Sequence, residues 1–140
     1  MVLIASTFNH GGMFAEKPGG ALSCEASHIR TLGKYIKQKL DECEYKADFN
    51  HSRKKKSDWP AYKESGFKTM KAFESNFIPY RIQGANEANI IWQIASPPLR
   101  NGIELHSYMS VSASAAEIGE WVLNFHDFFL KTEKVAQLSD

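Results

Sequence analysis

A chain of 140 residues is the usual size of one domain, and its shares of 43% hydrophobic and 24% charged residues are those of an ordinary globular protein. A formal net charge of +1 argues against a dedicated polyanion binder, and no stretch approaches the roughly 20 apolar residues that cross a bilayer. We therefore expect one domain over residues 1–140, with no membrane partner and no metal or disulfide needed for its core.

The first half of the chain predicts one strand and one long loop before a helix. Residues 2–8 are apolar and favour a strand, while residues 9–20 contain two Gly-Gly pairs and favour a loop. Ser23 can cap a helix, because apolar residues follow it at spacings of three and four. These apolar positions are Ala26, Ile29, Leu32, Ile36, Leu40 and Cys43.

A second helix is predicted after a polar loop at residues 44–56. Ser57 or Asp58 can cap it, and Pro60 suits its first turn, where amide groups have no helical partner. Its apolar stripe runs to residue 77 at helical spacing. The members of this stripe are Trp59, Tyr62, Gly66, Met70, Phe73 and Phe77.

Beyond residue 77 the apolar period changes to that of strands. Residues 78–83, 89–96 and 103–111 are extended candidates, separated by short turns, which predicts a three-stranded antiparallel meander. Asn101-Gly102 suits the turn before the last of these strands. In that strand Glu104, His106, Tyr108 and Ser110 share one face, opposite Ile103, Leu105, Met109 and Val111.

The segment Ser-Ala-Ala-Glu at residues 114–117 is a capping box, which opens a final helix with a broad apolar face. That face contains Ile118, Trp121, Val122, Phe125, Phe128 and Phe129, and residues 132–140 are expected to form a frayed tail. The predicted fold class is α+β in the order β-α-α-β-β-β-α. Three helices would pack on a small, mostly antiparallel sheet.

No local motif for catalysis or for a cofactor is present. Zinc sites need closely spaced ligand pairs, whereas Cys24 and Cys43 stand alone and would lie too far apart along one helix to form a disulfide. The glycines after His10 lack both a nucleophile elbow and a Walker lysine. We expect no cofactor, no metal and no enzymatic activity. Reduced thiols and the lack of a secretory leader favour the cytoplasm.

The histidines leave one enzymatic alternative open. Glu25 and His28 have the spacing that supplies half of a di-iron site, but the other half is missing, so a surface pair is the better interpretation. His10, His51 or His106 could still meet Cys24 or a carboxylate in three dimensions. Such a pocket with shifted pKa values would indicate catalysis.

A second alternative rests on the basic loop formed by Arg53, Lys54, Lys55 and Lys56. A cationic surface beside exposed aromatic rings is typical of nucleic-acid binding. Trp59 and Tyr62 follow this loop, but their helical spacing predicts that they face the core. Nucleic acid is therefore the less favoured partner.

The chain resembles the immunity proteins of bacterial polymorphic and contact-dependent growth-inhibition toxin systems. The likeness lies in residues 103–122, a strand running through a capping box into a helix, with the opening strand and the Trp-Pro-Ala helix start. The resemblance implies a cytoplasmic inhibitor that binds one cognate toxin domain. On physical grounds the toxin-binding candidates are Glu87, Glu104, His106 and Tyr108, together with the loop at residues 9–20.

Overall fold

A computed structural model of the chain describes residues 1–10, 13–45, 55–85 and 91–138. Its strands are β1 (Val2–Ile4), β2 (Thr7–His10), β3 (Met13–Glu16), β4 (Leu22–Cys24), β5 (Glu44–Tyr45), β6 (Arg81–Gly84), β7 (Ile91–Ala95) and β8 (His106–Ser110). Its helices are α1 (Ile29–Asp41), α2 (Pro60–Glu64), α3 (Met70–Asn76) and α4 (Ala115–Leu138), with a short 3₁₀ helix at Lys56–Asp58. The predicted α+β class is confirmed.

Within these described ranges the strands form three small sheets. β1 pairs with β4, and β6, β7 and β8 form the predicted meander; both of these sheets are antiparallel. The third sheet has the order β3-β2-β5, in which the short β2–β5 pair is parallel. The sheets are thus mostly antiparallel, as predicted.

The N-terminal quarter contains more strands than the sequence predicts. The expected loop at residues 9–20 includes the hairpin partner β3, and the helix expected from Ser23 begins only at Ile29. Strand pairing explains the difference, because Leu22–Cys24 pairs with Val2–Ile4 and so gives its backbone groups partners outside a helix. The Ser23 hydroxyl bonds to Glu64 instead of capping α1.

The predicted second helix is divided into α2 and α3. Gly66 has φ +72°, a left-handed conformation that ends α2 and that glycine adopts most easily. Thr69 then caps α3, accepting a hydrogen bond from the amide of Ala72 at 3.2 Å. The aromatic spacing survives this break, since Tyr62 and Phe73 still pack edge to face with ring centroids 5.6 Å apart.

The main core lies between α1, α4 and one face of the meander. Leu32 of α1, Ile94 of β7 and Ile118 of α4 have no solvent exposure, and Trp121 and Phe125 extend the same cluster. Burial of these side chains is the main source of stability for such a core. Along α4 the predicted apolar face is buried apart from Phe128, whose exposed fraction is 57%.

Helix α4 begins at the predicted capping box and continues further than predicted. Ser114 N donates to Glu117 Oε2 at 2.7 Å, and Glu117 N donates to Ser114 Oγ at 3.3 Å. The helix extends to Leu138, so most of the segment expected to fray from Thr132 is helical. Burial of Phe129 and the approach of Arg100 Nε to Glu133 Oε1 at 3.9 Å attach this half of α4 to the protein.

Candidate functional site

The meander has one face turned to the core and one turned to solvent, which we call the outer face. Its register places Gln93 beside Tyr108 and Ala95 beside His106. Along β8 exposure alternates with every residue, as a strand with one covered side requires. The outer face carries Arg81 and Gln83 from β6, Ile91 and Gln93 from β7, and His106, Tyr108 and Ser110 from β8, whereas Ala95 on the same side of the sheet is buried.

Three polar side chains meet on the outer face around His106. The side-chain amide Nε2 of Gln93 contacts His106 Nδ1, and His106 Nε2 lies 3.8 Å from Glu104 Oε2. A tautomer with the proton on Nε2 satisfies both neighbours, because Nδ1 then accepts from the amide and Nε2 faces the carboxylate. The imidazole therefore lies between the side-chain amide of Gln93 and the carboxylate of Glu104.

Tyr108 projects from the same face. Its exposed fraction is 60%, and it is the cross-strand neighbour of Gln93. A large amphipathic ring on a paired strand offers contact area at little cost in conformational entropy. Together with His106 and Glu104 it gives the outer face a mixed polar and aromatic character.

The core-facing side of the meander packs against α4, and this packing holds the outer face in place. Trp121 Nε1 donates to the hydroxyl of Ser107 at 2.8 Å, and Ile94 is fully buried against the same helix cluster. Ser107 and Ile94 are register partners, so the central strand β7 and its neighbour β8 are attached to α4 at one level. A binding surface mounted on a packed sheet keeps its shape better than one on a loop.

The sequence located most of this surface but not all of it. Glu104, His106 and Tyr108 were predicted to share a face, and the structure brings them together there; Glu87 lies outside the described residues. Gln93 was missed. Its position between Trp92 and Ile94 in an alternating strand is a signal that would have placed it opposite the core.

The predicted basic loop is described only in its last part, since Arg53 and Lys54 lie outside the described residues. Lys55 is exposed, whereas Lys56 Nζ forms an ion pair with Glu74 Oε1 at 2.7 Å. The same ammonium group lies 5.9 Å from the ring centre of Trp59. Trp59 is only half-buried, although its spacing predicted that it faces the core.

A second polar cluster lies where the C-terminal end of α1 meets the N-terminal strands. Glu42 accepts hydrogen bonds from Lys39 Nζ at 2.7 Å and from Ser6 Oγ at 3.3 Å, and these bonds hold its carboxyl pKa below the ordinary value. The backbone carbonyl of Glu42 also accepts from Lys17. Because Ser6 and Lys39 are buried and bonded to Glu42, this cluster stabilises the fold.

The two cysteines lie in separate elements, Cys24 in β4 and Cys43 just after α1, and both are free. Burial raises the pKa of the Cys24 thiol, which disfavours the nucleophilic thiolate. The described part of the chain holds no group of three or more residues able to bind a metal ion, and no described helix could cross a membrane.

Comparison with known proteins identifies no relative. No protein-family model, no curated protein and no solved structure matches this chain.

Proposed function

We propose that this protein is a non-enzymatic inhibitor that binds a cognate bacterial toxin domain through the outer face. The observation that carries this proposal is the exposed cluster of Glu104, His106 and Tyr108 on a sheet whose other face is packed on α4. Exposed aromatic and polar side chains on a rigid support are typical of protein-binding surfaces.

The contacts around His106 support binding in particular. Gln93 and Glu104 hold the imidazole in one orientation before any partner arrives, so little side-chain freedom remains to be lost. Tyr108 adds a large exposed ring at the centre of the same strand. This arrangement favours a shape-specific protein partner over a small substrate, which would need a concave pocket.

An immunity protein of this kind acts in the cytoplasm, where the toxin would otherwise reach its target. The two free cysteines agree with that compartment, because reducing conditions keep thiols unpaired. The partner would be one toxin domain bound with fixed stoichiometry, and no cofactor enters the interaction.

The test begins with tagged protein used to capture partners from its native cells, with nuclease added to remove nucleic acid. The captured candidate domain is then expressed alone and together with this chain. We expect the domain to arrest growth alone, and to lose its toxicity in a complex of defined stoichiometry with the wild-type chain. Absence of any rescue by the wild-type chain would refute toxin neutralisation.

The location of the binding surface is tested with two matched aromatic substitutions. Tyr108→Ala should weaken the complex at least tenfold, about 1.4 kcal/mol or more, as truncating a central aromatic anchor does. Phe128→Ala is the control, because Phe128 is exposed to a similar degree on α4, 57% against 60% for Tyr108. Equal affinities of the wild type and the Tyr108→Ala variant would place the interface elsewhere.

A second candidate function is nucleic-acid binding by the basic segment. It is favoured by the half-buried ring of Trp59 beside the cation of Lys56, with Lys55 exposed just before it in the chain. Single-stranded oligonucleotides should then bind with a strong dependence on salt, and the joint replacement of Lys54, Lys55 and Lys56 by Gln should flatten that dependence. An affinity that changes neither with salt concentration nor with these substitutions would exclude this function.

A further inference from the structure

Strand β8 is an edge strand of the meander within the described residues. It pairs with β7 along its whole length, and no described strand pairs with its other side. An open edge presents backbone N–H and C=O groups that can hydrogen-bond to another strand.

The backbone hydrogen bonds show which residues of β8 face this edge. Ser96 N donates to Leu105 O at 3.0 Å, so the backbone of Leu105 is directed toward β7. The direction of the backbone N–H and C=O groups alternates along a strand. Those of Ser107 and Met109 therefore also point toward β7, whereas those of His106, Tyr108 and Ser110 point away from it, toward the open edge. The bond from Ala85 N to Ile91 O at 2.8 Å, on the far side of β7, agrees with this alternation.

The two edges of the meander differ in their protection. The edge strand β6 has Pro79 just before it, carries the exposed Arg81 and ends at Gly84, all of which discourage pairing with another strand. β8 contains no proline, glycine, lysine or arginine between His106 and Ser110. The open edge of β8 is therefore the better template for an added strand.

We propose that two copies of this chain associate through β8, paired antiparallel with Tyr108 on the two-fold axis. In this register Tyr108 lies opposite Tyr108 of the second copy, and the two residues exchange a pair of backbone hydrogen bonds. His106 lies opposite Ser110 of the second copy. The outward backbone amide of Ser110 then donates to the carbonyl of His106 across the interface.

Side-chain complementarity selects a second copy as the occupant. The central pair brings two exposed aromatic rings together, which is a favourable cross-strand combination. The antiparallel register sets the two Glu104 residues, which precede β8, at opposite ends of the paired strands, so their carboxylates stay apart. The same residues thus satisfy both sides of one isologous interface. The resulting six-stranded sheet joins the outer faces of two protomers.

The oligomeric state of purified protein gives the first test. Sedimentation equilibrium over a concentration series should show a mass rising from that of the 15.8 kDa chain to twice that value. Tyr108→Pro removes the amide that donates across the axis while leaving the bonds to β7, and should weaken association at least about tenfold. Tyr108→Val keeps the amide and should weaken it less. A protein that stays monomeric at all concentrations overturns the proposal.

Cross-linking tests the register independently of affinity. With Cys24→Ala and Cys43→Ala in place, Tyr108→Cys should form a disulfide-linked dimer, because Cα atoms of a directly paired position lie about 5.5 Å apart. His106→Cys in the same background is the control. Its two copies would be more than about 13 Å apart, being four residues out of register. Equal cross-linking at both positions, or none at position 108, overturns the proposed pairing. Neither test contains a toxin, so the result is independent of the proposed function.

Discussion

The backbone of Gly33 in α1 lies directly against the carbonyl of Ala115 in α4. A β-carbon added at Gly33 would stand 1.7 Å from that oxygen, far inside van der Waals contact. The reciprocal contact is made by Gly119 of α4, where an added β-carbon would stand 2.1 Å from the carbonyl oxygen of Ile29. The two glycines thus allow these helices to approach with backbone on backbone.

Replacing either glycine with alanine should destabilise the protein. In an exposed helix, replacing glycine with alanine normally stabilises the protein by roughly 0.5–1 kcal/mol. A loss of stability would therefore indicate the close backbone contact between α1 and α4. For Gly33→Ala and Gly119→Ala we expect a loss of about 1–3 kcal/mol, because α1 and α4 must move apart. Urea unfolding followed by circular dichroism measures the change. Asn124→Ala, at an exposed position on α4, is the control and should show no loss.

The stability of the fold should depend on the ion pair between Lys39 and Glu42, because the lysine is buried. Lys39 is 5% exposed, so Glu42→Gln leaves its ammonium group without a charged partner and should cost about 1–2 kcal/mol. We expect a smaller loss of stability than for a fully buried pair, since the Glu42 side chain is 37% exposed. The double variant Lys39→Met/Glu42→Gln should recover most of the loss. A double variant as unstable as Glu42→Gln alone would contradict this account.

This pair also predicts a pH dependence. The carboxyl pKa of Glu42 is lowered in the folded protein, so its contribution is complete above its ordinary pKa and is lost as the pH falls through the folded value. The difference in unfolding free energy between the wild type and Glu42→Gln should therefore shrink in acid below about pH 4.5. A difference that stays constant from neutral to acid pH would show that the charge of Glu42 does not matter.

Tyr80 should titrate far above an ordinary tyrosine. Burial raises its pKa to about 12, and its hydroxyl bonds to His126 Nδ1 at 2.7 Å. The protonated form is the one the fold favours, so this stabilisation is complete below pH 10 and is lost as the pH rises through about 12. Absorbance of tyrosinate, recorded with circular dichroism to confirm folding, should show a late step from Tyr80. That step should vanish in Tyr80→Phe, which also loses about 1 kcal/mol of stability.

Glu16 should limit stability at neutral pH. Its carboxylate caps α2 by accepting from the amide of Ala61 at 2.7 Å, but burial raises its pKa. A raised carboxyl pKa favours the fold at low pH and costs stability as the pH rises through the folded value. Glu16→Gln keeps an acceptor without the charge and should raise the melting temperature at pH 7 but not below about pH 4. Glu120→Gln, at an exposed position, should change it at neither pH.

Local features of the fold could be predicted from the sequence. The capping box of Ser114 and Glu117 needs only four consecutive residues, and the structure shows both of its hydrogen bonds. The alternation along β8 likewise placed His106 and Tyr108 on the exposed side, because one covered face enforces a period of two.

Features that depend on distant parts of the chain could not be predicted in this way. β4 includes Ser23, the predicted helix cap, because Leu22–Cys24 pairs with Val2–Ile4, some 20 residues earlier. The contact between Gln93 and His106 likewise depends on strand register. Propensity and periodicity describe a residue and its near neighbours, and tertiary pairing overrides them.

The packing of α1 on α4 affects how the chain folds while it is synthesised on the ribosome. The buried residues Leu32 and Ile36 belong to α1, whereas the helix that covers them begins about 80 residues later. Translation adds roughly 5–20 residues per second, so the apolar side chains of α1 stay uncovered for several seconds before α4 is synthesised. During that interval a nascent chain depends on chaperones or on transient contacts to avoid aggregation.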